Sequence, residues 1–297
     1  MKNLSIHLTD TCNNSCRFCV VDSHQEAPEK VEQKIIRKFL TANAGKGYDS
    51  VNIHGGEPTL LPEIHDVLDM IRELVYPFVS LQTNGRLLKD PDFAASLAQR
   101  GVQLFVVSLH GKDAQMHDFF TQVPGSFDEA VAGIKNVIKL GKKIRTNTVV
   151  CKQNYQTLSD IVKLSLGLGT HHINISNIHT TGRAYKNFFE IVPKVSTIVP
   201  VVQQVIDEVL ETGKVVTVEG FPPCSLDSYR KYMVNWDDNE FKVLFRKTTL
   251  NNYEKFMETT TRKHGKMCET CVRKNRCGGI YKEYLELYGA DEFQPIH

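Results

Sequence analysis

The sequence predicts an α/β fold built on a parallel sheet, which is either a partial barrel or an open doubly wound sheet. Over the first two-thirds of the 297-residue chain, short apolar segments alternate six times with segments whose apolar residues recur at helical spacing. Six strand–helix repeats in order give parallel strands joined by right-handed crossovers. Hydrophobic residues make up 41% of the chain, which is enough for a sizeable core and argues against long-range disorder.

The first three repeats occupy about the first hundred residues. Strands are predicted at 4–8, 51–53 and 78–81, because these are short apolar runs between polar segments. Stripes of apolar residues at helical spacing predict helices over 31–40 and 61–75. Asp90 and Pro91 predict the start of the third helix, with Asp90 as its N-cap and proline at the first helical position.

The next three repeats contain strands predicted at 102–109, 144–150 and 173–178. Ser126 and Glu129 match a capping box at the start of a helix, and further helices are predicted at 158–166 and up to Gly213. Beyond Gly213 the periodicity fades, and the chain contains Pro222-Pro223 and its single Trp. We therefore predict a partial-barrel core over 1–213 and a small irregular module over 214–297.

Charge and targeting signals narrow the class of protein. The formal net charge is +2, which gives no electrostatic reason to expect nucleic acid or an anionic membrane as a partner. The first ten residues lack the apolar core of a signal peptide, and no apolar run approaches the ~18 residues that span a bilayer. Six of the eight cysteines fall into two close groups, and we expect a cytoplasmic protein in which the clustered cysteines serve metal or redox chemistry rather than disulfides.

Three cysteines, Cys12, Cys16 and Cys19, directly follow the first predicted strand. Iron–sulfur clusters are usually held by four thiolates, so three local cysteines leave one iron of a [4Fe–4S] cluster without a protein ligand. An open metal position allows an external molecule to bind, as in catalytic zinc sites. A zinc site or simple packing remains the alternative on spacing alone.

A second motif, Gly55-Gly56-Glu57-Pro58, follows the second predicted strand. Adjacent glycines allow a ligand to approach the backbone closely, and a carboxylate accepts hydrogen bonds from an ammonium group. An ordinary glycine turn is the alternative for this motif taken alone. Asn84 and Ser108 end the third and fourth predicted strands, where (β/α) folds place their sites, although turn chemistry also explains Asn84-Gly85.

These motifs together resemble the radical S-adenosylmethionine (SAM) family. The spacing C-x3-C-x2-C with Phe18 before the last cysteine resembles the family signature, and residues 55–58 resemble its Gly-Gly-Glu-Pro motif. The resemblance implies a partial (β/α)6 barrel in which SAM chelates the open iron and is cleaved to a 5′-deoxyadenosyl radical that takes a substrate hydrogen atom. It also implies that residues 55–58 contact the methionine amino group, and that Asn84 and Ser108 line the SAM pocket.

The remaining clustered cysteines lie near the C-terminus. Cys268-x2-Cys271-x5-Cys277, followed by two glycines, and the upstream Cys224 supply four thiolates, enough for a closed iron–sulfur cluster or a structural zinc site. The pattern resembles the auxiliary-cluster extensions called SPASM and twitch. Tyr281 stands where the full SPASM pattern has a further cysteine, so we expect one auxiliary [4Fe–4S] cluster in addition to the SAM-binding one.

The expected activity is oxidative modification, such as cross-linking, of a ribosomally made precursor peptide, because auxiliary clusters in the family suit two-electron oxidations. The alternatives are a dehydrogenase or epimerase of a small molecule or peptide and, from a different class, a non-catalytic iron–sulfur or zinc protein. The chain begins at the first strand, so peptide recognition would need a separate leader-binding protein or the C-terminal module. We also expect an external electron donor of the flavodoxin or ferredoxin type. Cys151 belongs to neither set of metal-binding cysteines, and it is either a core residue or a hydrogen donor to a substrate radical.

Overall fold

A nine-stranded sheet organises the residues described by the computed structural model, which are 2–22, 29–234 and 240–297. The strands lie in the order β7-β6-β5-β4-β3-β2-β1-β8-β9. Strands β1 to β8 are parallel to their neighbours, and β9 pairs antiparallel with β8. Their bounds are β1 Lys2–His7, β2 Ser50–His54, β3 Val79–Thr83, β4 Leu104–Ser108, β5 Lys143–Val150, β6 His172–Asn177, β7 Val215–Glu219, β8 Glu240–Phe245 and β9 Thr248–Leu250. The α/β class with a parallel sheet is therefore confirmed.

Helices connect the successive parallel strands and cover one face of the sheet. In chain order they are α1 Gln33–Asn43, α2 Ile64–Glu73, α3 Pro91–Gln99, α4 Ala114–Thr121, α5 Ser126–Lys139, α6 Leu158–Gly167, α7 Arg183–Lys186, α8 Phe188–Ile191, α9 Val195–Glu211, α10 Pro223–Leu226, α11 Tyr253–Thr260 and α12 Lys282–Tyr288. A two-stranded antiparallel ribbon, β10 Arg262–Lys263 and β11 Ile280–Tyr281, lies near the C-terminus. None of the helices among the described residues is long and apolar enough to cross a membrane.

The two faces of the sheet differ in polarity, because side chains of a strand alternate between its faces. One face packs against the helices and forms the apolar core, with Leu4, Ile53 and Phe105 fully buried in it. The opposite face is polar and is cross-linked by side-chain hydrogen bonds such as Asn52 Nδ2 to Ser5 Oγ at 3.3 Å. Polar side chains continue on this inner face across β5 to β7, where the hydrogen-bonded residues are Asn147, Asn174, Ser176 and Thr217.

The main sheet continues beyond residue 213, where the sequence predicts a domain boundary. Strand β7 extends the sheet next to β6, and β8 pairs with β1 at the other side. The segment after α9 thus supplies strands on both sides of the six predicted ones. The division into units at 1–213 and 214–297 stays a prediction.

Two helix starts show where local sequence rules succeed and fail. The carboxylate of Asp90 accepts from the backbone N–H groups of Asp92 and Phe93, so its predicted N-cap role is confirmed. The capping box at Ser126 was wrong, because Gly125 precedes the helix with φ of 82° and Ser126 lies within it. The Ser126 hydroxyl donates to Asp118 at 2.7 Å instead, since the carboxylate of Asp118 lies across the loop before α5.

Candidate active site at the carboxyl ends of the strands

The loop that carries Cys12, Cys16 and Cys19 leaves β1 and lies directly against the glycine turn after β2. The backbone N–H of Gly56 donates to the carbonyl of Thr9 at 2.6 Å, and that of Glu57 donates to Thr11 at 2.8 Å. A Cβ atom on Gly56 would lie 2.4 Å from the carbonyl oxygens of Asp10 and Thr11. Only glycine therefore allows the two loops to approach this closely.

A second support for the cysteine loop comes from the start of α7. The backbone N–H of Arg183 donates to the carbonyl of Cys19 at 2.9 Å, and its guanidinium donates to the carbonyl of Ser15 at 2.7 Å. Gly182 has φ of 59°, and a Cβ there would lie 2.5 Å from the carbonyl oxygen of Cys19. Arg183 was not among the candidate site residues predicted from the sequence.

The three thiols of this loop lie on one cavity and are chemically suited to a metal centre. Burial, with smaller contributions from nearby charges, raises the pKa of Cys12 to about 12 and raises the pKa of Cys16 as well. A bound metal replaces the thiol proton, so a positively charged centre would favour the thiolate form of Cys12 and Cys16. Among the described residues, no group of three or more His, Cys, Asp or Glu closes round a single metal ion.

Hydrogen bonds already point at the Cys12 sulfur. The backbone N–H of Asn14 donates to Cys12 Sγ at 3.3 Å, and the side-chain amide of Asn84 approaches the same atom at 3.8 Å. Asn84 also donates to Asn13 Oδ1 at 2.6 Å. Asn84 thereby ties the end of β3 to the cysteine loop. Donors of this kind tune the potential of iron–sulfur centres.

Glu57 is fully buried, and its carboxylate accepts four hydrogen bonds from this chain. Oε1 accepts from Thr59 N–H at 3.1 Å, Thr59 Oγ1 at 2.6 Å and Thr83 Oγ1 at 2.7 Å, and Oε2 accepts from Asn84 N–H at 2.6 Å. Burial raises the pKa of Glu57, and the donated hydrogen bonds oppose that effect. The carboxylate therefore fixes the turn after β3, including Asn84. Its direct contact with SAM stays a prediction.

The cavity, which we call the barrel cavity, has a volume of about 270 Å³ and opens at the carboxyl ends of the parallel strands. Most sequence-predicted site residues line it, namely Cys12, Cys16, Phe18, Cys19, Gly55, Gly56, Asn84 and Ser108. Glu57 and Pro58 are buried and are not among its lining residues. The residues that sequence reasoning missed include His110, Asn147, Ser176 and Glu219. The sequence feature that could have revealed them is a polar residue at alternate positions of strands that are otherwise apolar.

His110 lines this cavity, and a hydrogen bond at one ring nitrogen determines which nitrogen carries the proton. Its Nδ1 accepts from the backbone N–H of Val149 at 3.3 Å, so the neutral ring carries its proton on Nε2. Burial lowers the pKa of His110 well below its ordinary value, which keeps the ring neutral. The ring also packs edge-on against Phe18, with centroids 4.8 Å apart. His110 is thus a fixed neutral side chain in the cavity wall.

Glu219, at the end of β7, is the single charged side chain among the described residues that line the cavity. Its Oε1 accepts from Ser176 Oγ at 2.6 Å, and its Oε2 lies 3.7 Å from Nη2 of Arg145. Arg145 stands on the inner face of β5 behind the wall and is not a lining residue. The cavity wall at the end of β7 is therefore polar, and no described residue that lines the cavity is a lysine or arginine.

The four C-terminal cysteines line one second, small cavity, as a shared metal site requires. Cys224, Cys268, Cys271 and Cys277 surround it together with Arg273 and Lys274. The backbone N–H groups of Gly279 and Ile296 donate to Cys277 Sγ and Cys271 Sγ, each at 3.4 Å. Burial, followed by the neighbouring thiols, raises the pKa of Cys224 to about 11. Four half-buried thiols with N–H donors and two cations are a fitting donor set for an iron–sulfur cluster.

The remaining cysteine, Cys151, lies apart from both cavities. It is fully buried in the apolar cluster that also contains Phe120 and Val150, and it does not line the barrel cavity. Burial raises the pKa of Cys151 well above its ordinary value, with a smaller contribution from Cys16. These surroundings are those of a core residue, and the hydrogen-donor role stays a hypothesis.

Comparison with known proteins identifies the type of domain. The family model described as the radical SAM superfamily matches residues 6–165. A relative from Saccharolobus islandicus, named "Probable GTP 3',8-cyclase", is 34% identical over 190 residues, covering 61% of this chain and 58% of the relative. A protein of the same name from Sulfurisphaera tokodaii is 29% identical over 210 residues, covering 70% of this chain and 66% of that one. The chain thus spans little more than half the length of the first relative.

Solved structures with the same fold include proteins with bound peptides. Streptococcus suis SuiB bound to S-adenosylmethionine superposes with a TM-score of 0.70 at 20% identity, covering 98% of this chain and 76% of SuiB. SuiB bound to its precursor peptide SuiA gives a TM-score of 0.62 at 21% identity, covering 87% of this chain and 54% of SuiB. The protein anSMEcpe with bound AdoMet and a peptide gives 0.60 at 17% identity, covering 73% of this chain and 63% of that one. At these identities the likeness establishes the fold.

Proposed function

Because this chain belongs to the radical SAM superfamily, we propose that Cys12, Cys16 and Cys19 hold a [4Fe–4S] cluster whose open iron binds SAM. When bound, this pair supplies the 5′-deoxyadenosyl radical that removes a hydrogen atom from the substrate. The observation that carries the proposal is the geometry of the loop: three half-buried thiols line one polar cavity together with the glycine turn at 55–56. The family match over residues 6–165 supports it independently.

The chain's own residues would bind and orient SAM. The close approach of Gly55 and Gly56 leaves backbone groups at the cavity wall, and Asn84 and Ser108 present polar side chains there. Phe18 packs on His110 and closes one side of the site. We assign Glu57 a positioning role, since its carboxylate holds Thr83 and Asn84 from behind.

We further propose that Cys224, Cys268, Cys271 and Cys277 hold one auxiliary [4Fe–4S] cluster. When bound, this cluster can accept the electron that remains on a substrate after hydrogen removal, so that a two-electron oxidation is completed. The shared cavity, the two N–H donors to sulfur and the cations Arg273 and Lys274 support this assignment over an apolar core role. A structural zinc site is the competing occupant, and it predicts zinc rather than iron in the isolated protein.

The proposed substrate is a ribosomally made peptide that the enzyme modifies oxidatively. The fold shared with SuiB and anSMEcpe, both solved with peptides, supports this class. The cavity wall supports it as well, because Glu219 and the surrounding amide side chains can form hydrogen bonds with a neutral or donor-bearing side chain of a peptide. A separate leader-recognition protein and a flavodoxin- or ferredoxin-type electron donor belong to this proposal as partners.

A second candidate is a nucleotide cyclase, favoured by the 34% identity to a protein named as a GTP 3′,8-cyclase. A triphosphate is recognised by arginine, lysine or metal ions, since its charge must be offset. Glu219 is acidic, and no arginine or lysine is among the described residues that line the barrel cavity. This charge distribution disfavours a triphosphate in that cavity.

One experiment distinguishes the two candidates. The anaerobically reconstituted enzyme is incubated with SAM and dithionite, alone, with GTP, or with candidate precursor peptides, and 5′-deoxyadenosine is quantified. Peptide-dependent 5′-deoxyadenosine and a peptide two hydrogen masses lighter support the peptide proposal. A cyclised nucleotide formed from GTP contradicts it.

A variant then tests the auxiliary site. Replacing Cys268 and Cys271 by Ala should leave 5′-deoxyadenosine formation measurable while product formation is lost. Full product formation by this variant would show that the C-terminal metal is only structural.

A further inference from the structure

A strongly basic surface surrounds the C-terminal cysteines. Residues 262–276 contain six lysines and arginines and one acidic residue, a net charge of +5 in a chain whose total is +2. Five of these cations are exposed, and within the described residues none of the five forms an ion pair. They are Lys263, Lys266, Arg273, Lys274 and Arg276. Together with Val272 we call these residues the basic face.

Charge neutralisation of a metal centre accounts for only part of this face. Arg273 and Lys274 line the four-cysteine cavity and can offset thiolate charge. Lys263, Lys266 and Arg276 are not among the residues that line it. These three cations therefore remain as a surplus that faces solvent.

An exposed apolar side chain lies within the same surface. Val272 is 71% exposed, one of the most exposed large apolar side chains of the described residues. Its backbone N–H donates to the carbonyl of Ile296 at 3.0 Å, so its position is fixed by the C-terminal segment. A surface that combines free cations with one exposed aliphatic side chain matches a peptide that alternates acidic and apolar residues.

The ribbon that carries Lys263 packs against a residue that lines the barrel cavity. Lys263 lies on β10, which pairs with β11 through the register Arg262 to Tyr281 and Lys263 to Ile280. The Tyr281 ring lies 4.8 Å from the ring of His179, which lines the barrel cavity. The buried ring of Tyr281 therefore joins this ribbon to the cavity wall.

We propose that the basic face binds an acidic segment of the peptide substrate while the residue to be modified lies in the barrel cavity. This inference rests on the peptide substrate of the proposed function and adds the charge of that peptide and the place where it docks. Single-stranded nucleic acid is the less fitting occupant, because the basic face carries no aromatic side chain on which bases could stack.

The test measures binding of a fluorescent ten-residue peptide of alternating glutamate and leucine to the full chain by anisotropy. The matched probe replaces every glutamate by glutamine. The first variant is Lys263→Glu/Lys266→Glu/Arg276→Glu. The control variant, with the same change in net charge at exposed lysines elsewhere, is Lys46→Glu/Lys135→Glu/Lys163→Glu.

We expect the wild type and the control to bind the acidic probe with similar affinity and to bind the glutamine probe weakly. The first variant should bind at least tenfold more weakly, and wild-type affinity should fall as salt rises, because exposed charges are screened over about 10 Å at 0.1 M salt. If charge reversal impairs folding, the neutralising variant Lys263→Gln/Lys266→Gln/Arg276→Gln replaces it, with a smaller loss expected.

Several outcomes would overturn the inference. They are absence of binding to the acidic probe, equal loss in both triple variants, or preferential binding of single-stranded RNA or of an acidic flavodoxin at the same residues. Cleavage of SAM by the reconstituted wild type is measured separately, without peptide. Failure of SAM cleavage would refute the radical chemistry, whereas failure of the probe to bind refutes only the docking surface.

Discussion

Replacing Glu57 by Gln tests the buried carboxylate that connects the glycine turn to the end of β3. The substitution conserves shape, and the amide oxygen can take the place of Oε1, which accepts from Thr59 and Thr83. The amide nitrogen then takes the place of Oε2 and meets the backbone N–H of Asn84, which lies 2.6 Å from Oε2 in the native protein. Two donors face each other there, and a buried N–H loses its acceptor.

The expected cost follows from the chemistry of that contact. A buried donor left without a partner costs about 1–3 kcal/mol, and hydrogen bonds to a charged group contribute about 1.5–3 kcal/mol each. We expect Glu57→Gln to lower the free energy of unfolding by about 2–3 kcal/mol. For a chain of this size that corresponds to roughly 3–5 °C in melting temperature. The displaced turn carries Asn84, so SAM affinity should fall about tenfold, or ~1.4 kcal/mol.

Two assays check these values separately. Denaturant unfolding of the cluster-free protein gives the stability, and calorimetric titration of the reconstituted protein gives the SAM dissociation constant. The control is Glu73→Gln, since Glu73 has an exposed side chain and one surface ion pair with Arg37 at 3.4 Å. We expect that change to cost less than ~1 kcal/mol. Wild-type stability of Glu57→Gln, or lowered stability with unchanged SAM affinity, would refute the positioning role.

Three further predictions concern buried residues around the site. Burial lowers the pKa of His117 to about 4, and its Nδ1 accepts from the backbone N–H of His110. The folded protein therefore keeps this ring neutral at pH values where the unfolded chain already binds a proton. The free energy of unfolding should fall by about 3 kcal/mol as the pH is lowered from ~6.5 toward 4. His117→Gln should reduce this pH dependence, as measured by urea unfolding at several pH values. An unaltered pH dependence would contradict the assignment. Cys151→Ala should give the same product as wild type at a cost of about 1 kcal/mol in stability, and a changed product by mass spectrometry would instead support the hydrogen-donor role. Gly56→Ala should abolish incorporation of iron at the N-terminal site, because its Cβ would lie 2.4 Å from the Asp10 carbonyl; full iron content would contradict that reason.

Much of the fold follows from local patterns in the sequence. Strand and helix alternation predicts β1 to β6 and their parallel order, because each element carries its own periodicity. Strand β8 could not be predicted in this way, since it pairs with β1 from more than 230 residues away. Strand β7 was passed over because its alternation begins just after the glycine that ends α9. Pairing between distant segments leaves no local periodic signal.

The site shows the same division between local and distant information. The cysteine loop and the glycine turn are compact motifs, and the structure brings both to one cavity. Arg183 and Glu219 were not identified, because their roles arise from contacts with Ser15 and Arg145 that are distant in sequence. The polar inner face was readable in principle from alternate positions such as Ser5 and Asn52, but the apolar neighbours dominated the interpretation.

The most direct test of the central claim is iron and sulfide analysis of the anaerobically reconstituted protein, followed by incubation with SAM and dithionite. Two [4Fe–4S] clusters predict about eight irons per chain and formation of 5′-deoxyadenosine. The variant Cys12→Ala/Cys16→Ala/Cys19→Ala should retain about four irons and form no 5′-deoxyadenosine. An intact cluster in the wild type without any 5′-deoxyadenosine would contradict the proposed radical chemistry.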